Sequence, residues 1–404
     1  MVLLLCWDPL PAAEAVSGNQ DLITDILLRL PVKSLLRFKC VSKQWLSLIS
    51  DPQFSRLHCS LASAGIILCQ TTGLIDHISC GRRNSEPPFT SLSFINDSAG
   101  TKILQSCNGL LLCCSSFKLG KSCSYYICNP STRQYLMLPP PNAEGYDGIT
   151  TSFGVHLAFD PSKSSHYQVI CVRSCSTSSA ASNSYQIETS SAASNSYQIE
   201  TYSSETRNWR LSGSPFSAPF DMVFDNGVLW NGTIHWISPT GASLCFNIDQ
   251  EHLGAMPSLP SNEKWSKRRL RYFRESGGHL HLIEIYGSST TQFQVFEMEK
   301  DYSRWIPKYQ VDLSAIVDAF PEMVRSYIDT HESRFYVFSL LFVQEDEEDS
   351  LLLLHIPGKF ISYNLRDRTF KEICDFGPNC TKANTSLQIG CVHVYQFIDT
   401  LAGV

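Results

Sequence analysis

The chain has 404 residues, of which 43% are hydrophobic and 17% charged, a composition that indicates folded domains and excludes a mainly disordered protein. Its formal net charge is -6, from 32 Lys and Arg against 38 Asp and Glu. This balance excludes binding to nucleic acid or to an anionic membrane through overall charge, and we expect neither as a partner.

Residues 1–17 are expected to form an N-terminal tail. They begin with MVLLLCW, an apolar run that is shorter than the core of a secretory signal and much shorter than the roughly 20 residues of a transmembrane helix. We therefore expect an intracellular protein, in the nucleus, the cytoplasm or both. The 16 cysteines include no CxxC pair, and in a reducing compartment they are expected to be core thiols.

Three short helices are predicted in residues 18–56. The apolar residues of the first helix recur at helical spacing and are Leu22, Ile23, Ile26, Leu27 and Leu30. Asp21 stands where its N-cap is expected, and Pro31 ends it. A second helix is predicted over 32–38, and a third one stops at Pro52.

These helices carry more apolar surface than so small a unit can bury, because a three-helix piece is marginally stable without a partner. Each large apolar side chain left in water forgoes about 1.5 to 3 kcal/mol. The surplus side chains are Leu28, Leu35, Leu36 and Leu46. We expect them to dock, either on a second polypeptide or on the remainder of the chain itself.

The segment ILLRLPVKSLLRFKCVSKQWLSLISDPQF resembles the F-box of plant F-box proteins. The resemblance implies docking on a Skp-family adaptor and, through it, assembly with the cullin and RING subunits of a ubiquitin ligase. The adaptor-binding residues that it implies are Leu22, Ile26, Leu30, Pro31, Leu35, Leu36, Val41 and Trp45. The family pattern usually opens on a Leu-Pro pair. This chain has Gly18 and Asn19 at those positions, which predicts weaker docking.

Residues 64–404 read as a mainly β, propeller-like (kelch-like) domain, so that the whole chain is predicted to be α+β. A strand, a polar turn and a second strand recur around five anchor residues that are spaced by about 40 to 80 positions. The anchors are Tyr126, Tyr202, Phe246, Phe296 and Tyr363. Radial closure would remove the exposed edges of many short strands. A large sandwich or two barrels are the alternatives.

The same region is similar to the F-box-associated domain of the plant family. The matching stretches include SCNGLL, CNPSTRQYLMLP, YSSETRNWR and NGTIHWI. By resemblance, this domain is a platform that recruits the protein to be ubiquitinated. Most of the matching residues are turn formers or core aromatics.

A duplication interrupts this region at 178–201, where SSAASNSYQIET occurs twice in succession. Twelve residues are too few for a blade. Because twelve is even, either copy presents the same side chains to the core, so Tyr185 or Tyr197 could enter the strand. We expect the second copy to enter it, because it runs directly into the next hairpin, and the first copy to be an insertion.

The search for reactive groups finds no catalytic, phosphate-binding or metal-binding motif. His279 and His281 would share one face of a strand, but no third ligand stands nearby in sequence, so neither a metal nor another cofactor is predicted. A basic cluster is interpreted as a nuclear-import signal, as a patch for an acidic partner, or simply as a solvated loop. Its residues are Lys264, Lys267, Arg268, Arg269, Arg271 and Arg274.

The leading hypothesis is a non-catalytic subunit of an SCF-type E3 ubiquitin ligase that recognises the substrate. Its F-box would bind the adaptor, and its β domain would recruit a target protein that the sequence does not identify. One alternative is an interaction protein that works without the adaptor. Another is a propeller lectin or enzyme, for which the sequence offers no convergent polar pocket.

Deleting residues 178–189 should leave the melting temperature within about 2 °C of the wild-type value, because the second copy supplies the same side chains to the strand. Thermal unfolding followed by circular dichroism measures this. Deletion of both copies, residues 178–201, is the contrasting variant, since no copy is then left to enter the strand and the domain should lose much of its stability. A fall of many degrees for the first deletion would show that the first copy belongs to the core.

Overall fold

A computed structural model describes fifteen segments of the chain. They are residues 19–61, 65–70, 75–79, 89–97, 100–115, 123–141, 152–174, 196–219, 222–238, 242–258, 268–286, 291–325, 336–345, 350–375 and 392–404.

Four helices form the N-terminal part of the described chain, one more than the sequence predicts. They are α1 (Gln20–Leu28), α2 (Val32–Phe38), α3 (Lys43–Ile49) and α4 (Pro52–Leu61). The third helix stops before Asp51 and Pro52, as predicted, but Pro52 also begins a fourth helix that was not predicted, because proline is well suited to the first position of a helix, where its missing N–H costs nothing. The Asp51 carboxylate accepts a hydrogen bond from the Gln53 N–H at 2.7 Å, which supports this new start.

The predicted N-cap of α1 is also displaced. Asn19 caps the helix, and its side-chain oxygen accepts hydrogen bonds from the N–H groups of Asp21 (3.0 Å) and Leu22 (3.2 Å). Asp21 lies instead in the first turn, where its negative charge still meets the positive end of the helix dipole. Both residue types cap helices well, so sequence preference alone does not separate them.

Five four-stranded antiparallel sheets, which we call blades 1 to 5, follow in chain order. Blade 1 is β3 (Thr101–Cys107), β4 (Leu110–Ser115), β5 (Tyr125–Asn129) and β6 (Gln134–Met137), and blade 2 is β7 (Ser152–Ala158), β8 (Gln168–Ser174), β9 (Ser196–Ser203) and β10 (Asn208–Ser217). Blade 3 is β11 (Val228–Trp230), β12 (Thr233–Trp236), β13 (Ser243–Asn247) and β14 (His252–Met256). Blade 4 is β15 (Arg268–Ser276), β16 (His279–Tyr286), β17 (Gln292–Met298) and β18 (Trp305–Asp312), and blade 5 is β19 (Ser339–Glu345), β20 (Ser350–Ile356), β21 (Lys359–Asn364) and β22 (Phe370–Asp375). A short helix, α5 (Ser314–Ala319), follows blade 4.

A three-stranded sheet, which we call the closing sheet, joins the two ends of the β domain. Its strands are β1 (Gly65–Gln70), β2 (Ile75–Ser79) and β23 (Val392–Phe397), in the order β2-β1-β23. β1 and β23 pair antiparallel from Gly65 opposite Phe397 to Gln70 opposite Val392. The propeller-like fold predicted from the sequence is confirmed, since five blades and this sheet surround a common channel.

The direction of the strands divides the ring into two faces. The first strand of every blade lines the channel, and an even number of antiparallel strands returns the chain to the face from which it started. The inner strands therefore all begin at one face, which we call the far face, and end at the other, the near face. Because β1 runs antiparallel to β23, α4 enters the ring at the near face.

The near face carries one turn that recurs in all five blades. Between the third and fourth strand of each blade, one residue adopts a left-handed backbone conformation. These residues are Arg133, Arg207, Glu251, Tyr302 and Arg368. In blades 1, 3 and 5 an asparagine before the turn accepts hydrogen bonds from the following backbone N–H groups, as Asn129 does from Ser131 at 3.0 Å. The turn thus repeats with the blades that the five anchors predict.

Neighbouring blades are joined by tryptophan side chains on the fourth strands. The Trp209 indole of blade 2 donates a hydrogen bond to the Pro139 carbonyl beyond blade 1, at 2.8 Å. Trp305 of blade 4 donates in the same way to Pro257 beyond blade 3, at 3.0 Å. Each tryptophan therefore fills the core between blades and satisfies its N–H on the preceding one.

The second copy of the duplicated sequence enters the sheet, as expected. β9 begins at Ser196, and Tyr197 is 3% exposed in the core between blades 2 and 3. The ring of Tyr197 packs edge-on against Phe224, with centroids 4.9 Å apart. The first copy lies outside the described residues.

The last seven residues of the chain, 398–404, which we call the C-terminal segment, run under blade 1 at the near face. The Asn129 amide donates hydrogen bonds to the carbonyls of Thr400 (3.0 Å) and Ala402 (2.8 Å). Leu401 packs on the apolar core of the N-terminal helices. The C-terminal segment therefore contacts both the propeller and the helices.

Gly109 lies where the C-terminal segment packs closely against blade 1. It has a φ of +86°, and a Cβ atom there would lie 2.3 Å from Thr400 Cγ2 and 2.4 Å from the Ile398 carbonyl oxygen. Gly109→Ala should lower the free energy of unfolding by about 1 to 2 kcal/mol through backbone strain and by about 1 to 3 kcal/mol more through overpacking. Urea unfolding measures the difference.

Gly358→Ala is the matched control. Gly358 has a φ of +77°, and no heavy atom of the described residues lies within 4 Å of the place where its Cβ would stand. This substitution should show the strain component alone, about 1 to 2 kcal/mol. Equal losses for the two variants would mean that the C-terminal segment does not press on Gly109.

Candidate functional site

The N-terminal helices expose a set of large apolar side chains. Leu22 and Ile26, one turn apart on α1, are 45% and 50% exposed. Val41, just before α3, is 60% exposed and Leu46 on α3 is 47% exposed. We call these four residues the apolar row. Removing exposed apolar side chains from water is favourable, so these side chains offer a surface on which another molecule can bind.

The core of the helices is built from a different set. Ile23, Leu27, Leu35, Ile49 and Phe54 are buried together. The predicted stripe of α1 is thus divided, because 100° per residue places Ile23 and Leu27 inward and Leu22 and Ile26 outward. Leu35 is fully buried within the helices, so its assignment to a binding surface is corrected: it supports the surface from beneath.

The remaining predicted adaptor-binding residues lie at the edge of this core. Leu30, Leu36 and Trp45 are half-buried, and Pro31 is exposed at the N-cap of α2. Trp45 packs edge-on against Phe38, with ring centroids 5.4 Å apart. The surplus residues Leu28 and Leu36 are likewise half-buried.

His58 ties the helices together beside the propeller. It is 5% exposed, and its Nε2 is 2.8 Å from the Leu30 carbonyl oxygen at the end of α1. A cavity of about 660 Å³ lies here, between helix residues such as Leu61 and the C-terminal segment at Asp399. The contact between the helices and the C-terminal segment is therefore both polar and apolar, and α4 lies at its centre.

The central channel of the propeller is a cavity of about 1360 Å³. All six inner strands contribute to its wall. The end of the channel at the far face lies away from the N-terminal helices. The channel is thus a second candidate surface for a ligand or partner.

The predicted basic cluster is not brought together as one patch in the described part of the chain. Arg271 forms an ion pair with Glu284, with 2.5 Å between Nη2 and Oε1, and donates to the Ser238 carbonyl. Arg274 is exposed and lines the channel. Arg268 and Arg269 begin strand β15. Lys264 and Lys267 lie outside the described residues.

His279 and His281 share a charged cluster with two acids that the sequence search missed. His279 Nδ1 is 2.7 Å from Glu297, and His281 Nε2 is 3.2 Å from Glu345. Possible ligand atoms of His279, Glu297 and Glu345 lie within 4.8 Å of one another. The Lys308 ammonium, however, contacts both carboxylates, so the positive charge that a metal would bring is already supplied by the chain.

The pKa of Glu345 reflects this arrangement. Burial alone would raise it, but hydrogen bonds from His281, Lys308 and Tyr309, and the charge of Lys308, hold the pKa of the carboxyl well below its usual range. Burial would also lower the pKa of Lys308, yet the two carboxylates raise it. The cluster is therefore a buried ion pair between blades 4 and 5.

The chain combines a β-propeller with a separate helical unit that exposes apolar side chains. This arrangement is typical of a protein that binds partners through separate domains. Comparison with known proteins gives the same division: residues 19–57 match the family described as "F-box domain", and residues 82–388 match the "F-box associated beta propeller domain".

Two relatives from Arabidopsis thaliana are similar to the chain. F-box protein At5g07610 is 36% identical over an alignment of 419 positions that covers 97% of this chain and 94% of that protein. F-box protein At5g49610 is 30% identical over an alignment of 310 positions that covers 74% of this chain and 77% of that protein. Among solved structures, TolB from Acinetobacter baumannii is more distant, with a TM-score of 0.34 and 9% identity over 73% of this chain and 61% of that one.

The chain belongs to the F-box proteins with an F-box-associated β-propeller domain. Proteins of this architecture are in general substrate adaptors of SCF ubiquitin ligases and are typically not catalytic themselves. Among the described residues, no helix is both long and apolar enough to cross a membrane.

Replacing Glu345 with Gln should lower the free energy of unfolding at pH 7 by about 1 to 3 kcal/mol, because it leaves the half-buried Lys308 with one fewer charged partner. The contribution of a carboxyl with a depressed pKa is present above its usual pKa and is lost as the pH falls toward its folded value. The difference between wild type and Glu345→Gln should therefore shrink below about pH 4.5. Urea unfolding over a pH series measures both effects.

Glu205→Gln is the control for this series, because Glu205 is exposed in a turn of blade 2. It should leave stability within about 0.5 kcal/mol of wild type at every pH. A Glu345→Gln variant that behaves like Glu205→Gln would contradict the buried ion pair.

Proposed function

We propose that this protein is the substrate-recognition subunit of an SCF-type (cullin-RING) E3 ubiquitin ligase. Its F-box helices bind a Skp-family adaptor, through which cullin and RING subunits are reached, and its propeller recruits a target protein. The observation that carries this proposal is the exposed apolar row, Leu22, Ile26, Val41 and Leu46, on a helical unit that belongs to the F-box family.

The energy of the apolar row favours an adaptor. Full burial of an exposed apolar side chain contributes about 1.5 to 3 kcal/mol. Since these four are 45% to 60% exposed, each would regain about half of that in an interface, and together they can form its apolar centre. Their exposure is not a consequence of a missing core, because Ile23, Leu27 and Leu35 already fill the space between the helices.

Asn19 explains how the F-box tolerates the absence of the usual Leu-Pro pair. Its side chain caps α1 through two backbone N–H groups, which typically contributes about 1 kcal/mol to helix stability. The position therefore stabilises the helix that carries Leu22 and Ile26 and does not itself supply an apolar contact. We infer that adaptor binding relies correspondingly more on the apolar row.

The two ends of the molecule suit a scaffold that holds two proteins at a fixed separation. The F-box contacts the C-terminal segment at the near face through Leu401 and through Cys59 of α4, which leaves the far face free for a target. A tethered target meets the ligase at a high effective concentration, and the gain requires a geometry that lets both ends bind at once. The chain then contributes position, and the bond chemistry belongs to other subunits.

Substituting both Ile26 and Val41 with Asp should abolish co-purification with a co-expressed plant Skp-family adaptor. Two charges in the apolar centre of an interface should weaken binding more than about 100-fold. The matched control is Met137→Asp with Leu211→Asp. These two side chains are 58% and 59% exposed on the outer strands of blades 1 and 2.

Pull-down of the adaptor and titration by calorimetry measure the difference between the two double variants. The control should bind the adaptor like wild type. Binding that survives Ile26→Asp with Val41→Asp would contradict this docking surface. Failure of the wild type to bind any plant Skp-family adaptor would favour a protein that works without one.

A further inference from the structure

The wall of the central channel brings together three basic side chains that are far apart in sequence. Lys102 on β3, Arg274 on β15 and His393 on β23 are all exposed and all line the channel. Lys102 and His393 are each the second residue of their strand, so both stand close to the far face. Three separate sheets thus supply this basic group.

The charges of Lys102 and Arg274 are not neutralised within the described part of the chain. Neither side chain forms an ion pair there, whereas Arg271 on the same strand as Arg274 is paired with Glu284. Burial lowers the pKa of His393, and the charges of Lys102 and Arg274 lower it further. The two cations therefore act on the same region of the channel, and an anion that entered it would be attracted by both.

The carboxylates of the channel wall are engaged or lie elsewhere. Glu275 accepts a hydrogen bond from the Gly278 N–H at 2.9 Å, at the near-face turn of blade 4. Asp160 accepts from Ser162 in the near-face connection of blade 2. Asp225 is exposed just before β11, on the opposite side of the ring from β23. Lys102 and His393 are thus separated from these acids along or across the channel, whereas Arg274 directly precedes Glu275 on β15.

Apolar surface lies beside the basic group. Phe153, the second residue of β7, is 40% exposed and lines the channel near the far face. Leu340 on β19 lines it between the strands that carry Arg274 and His393. A ligand that reached all of these residues would need both negative charge and apolar groups.

The size and charge of the channel favour a peptide over other anions. Its volume of about 1360 Å³ exceeds the roughly 300 to 1000 Å³ of sites for small molecules. Nucleic acid is disfavoured, because three basic side chains are too few for the roughly 6 to 10 phosphate contacts of a typical complex. The net charge of -6 would also oppose a polyanion.

We propose that the channel binds an acidic segment of the target protein, with Asp or Glu side chains held by Lys102, Arg274 and His393 and apolar side chains against Phe153 and Leu340 on its two sides. This inference rests on the proposed function only in taking the ligand to be the protein that is recruited. It names the chemistry by which the target is chosen.

Selection of random peptides displayed on phage, against the N-terminally tagged full chain, tests the proposal while the target is still unidentified. The selected peptides should be enriched in Asp and Glu and should carry an aromatic or aliphatic residue. Their binding to Lys102→Glu with Arg274→Glu should be weaker by about ten-fold or more, and replacement of their Glu residues with Gln should weaken binding to wild type.

Lys300→Glu with Lys371→Glu is the matched control, because it makes the same change in net charge at two exposed lysines outside the channel. It should keep peptide binding within about two-fold of wild type. All variants should melt within about 2 °C of wild type, which shows that they are folded. Selection repeated on Lys102→Glu with Arg274→Glu should enrich Lys and Arg.

Selection that yields no peptide, peptides without acidic enrichment, or equal losses for the two charge-reversal variants would overturn the proposal. The adaptor pull-down separates this result from the proposed function. Lys102→Glu with Arg274→Glu should still bind the Skp-family adaptor. A chain that binds acidic peptides but no adaptor would retain this inference and lose the ligase assignment.

Discussion

The antiparallel pairing of β1 with β23 is the constraint on which the architecture depends. It joins residue 65 to residue 397 and places strands from both ends of the β domain in one sheet, so that the row of blades closes into a ring. The same pair of strands also places α4 and the C-terminal segment at the near face. α4 leads into β1, and the C-terminal segment leaves β23, so the F-box is held from both sides of one hydrogen-bonded pair. Contacts of Leu401 with the helices and of Asn129 with the segment extend this junction.

The repeat of the propeller could be predicted because each blade carries the same local sequence pattern of strand, polar turn and strand. All five aromatic anchors lie on the third strand of a blade, and each is followed by the turn with a left-handed residue. The closing sheet was not predicted, because the sequence separation of its strands leaves no local signal. The same reason hides Glu297 and Glu345 from a search around the two histidines, since 18 residues separate His279 from Glu297 and 64 separate His281 from Glu345.

The F-box was recognisable from its residues, but the role of each one was not. Periodicity groups Leu22, Ile23, Ile26 and Leu27 on one stripe, whereas the packing of α4 against α1 decides which of them are inside. Leu35 illustrates the same limit, since a buried leucine and a leucine at an interface have identical local sequence signals. The N-cap at Asn19 and the helix that begins at Pro52 were not predicted, because helix ends depend on hydrogen bonds that more than one nearby residue can make.

The proposed division of function follows the two faces of the ring. Tight turns with defined hydrogen bonds occupy the near face, where the F-box is attached, and the channel is where we propose that a target binds. Two partners can be held at a fixed separation only if the F-box and the propeller keep one relative position. The most direct test is a distance measurement by electron–electron double resonance, with spin labels on genetically encoded residues at Ser47 and Lys371 of the full chain. A single narrow distribution, unchanged by adaptor, is the predicted result, and a broad or divided distribution would contradict a fixed junction.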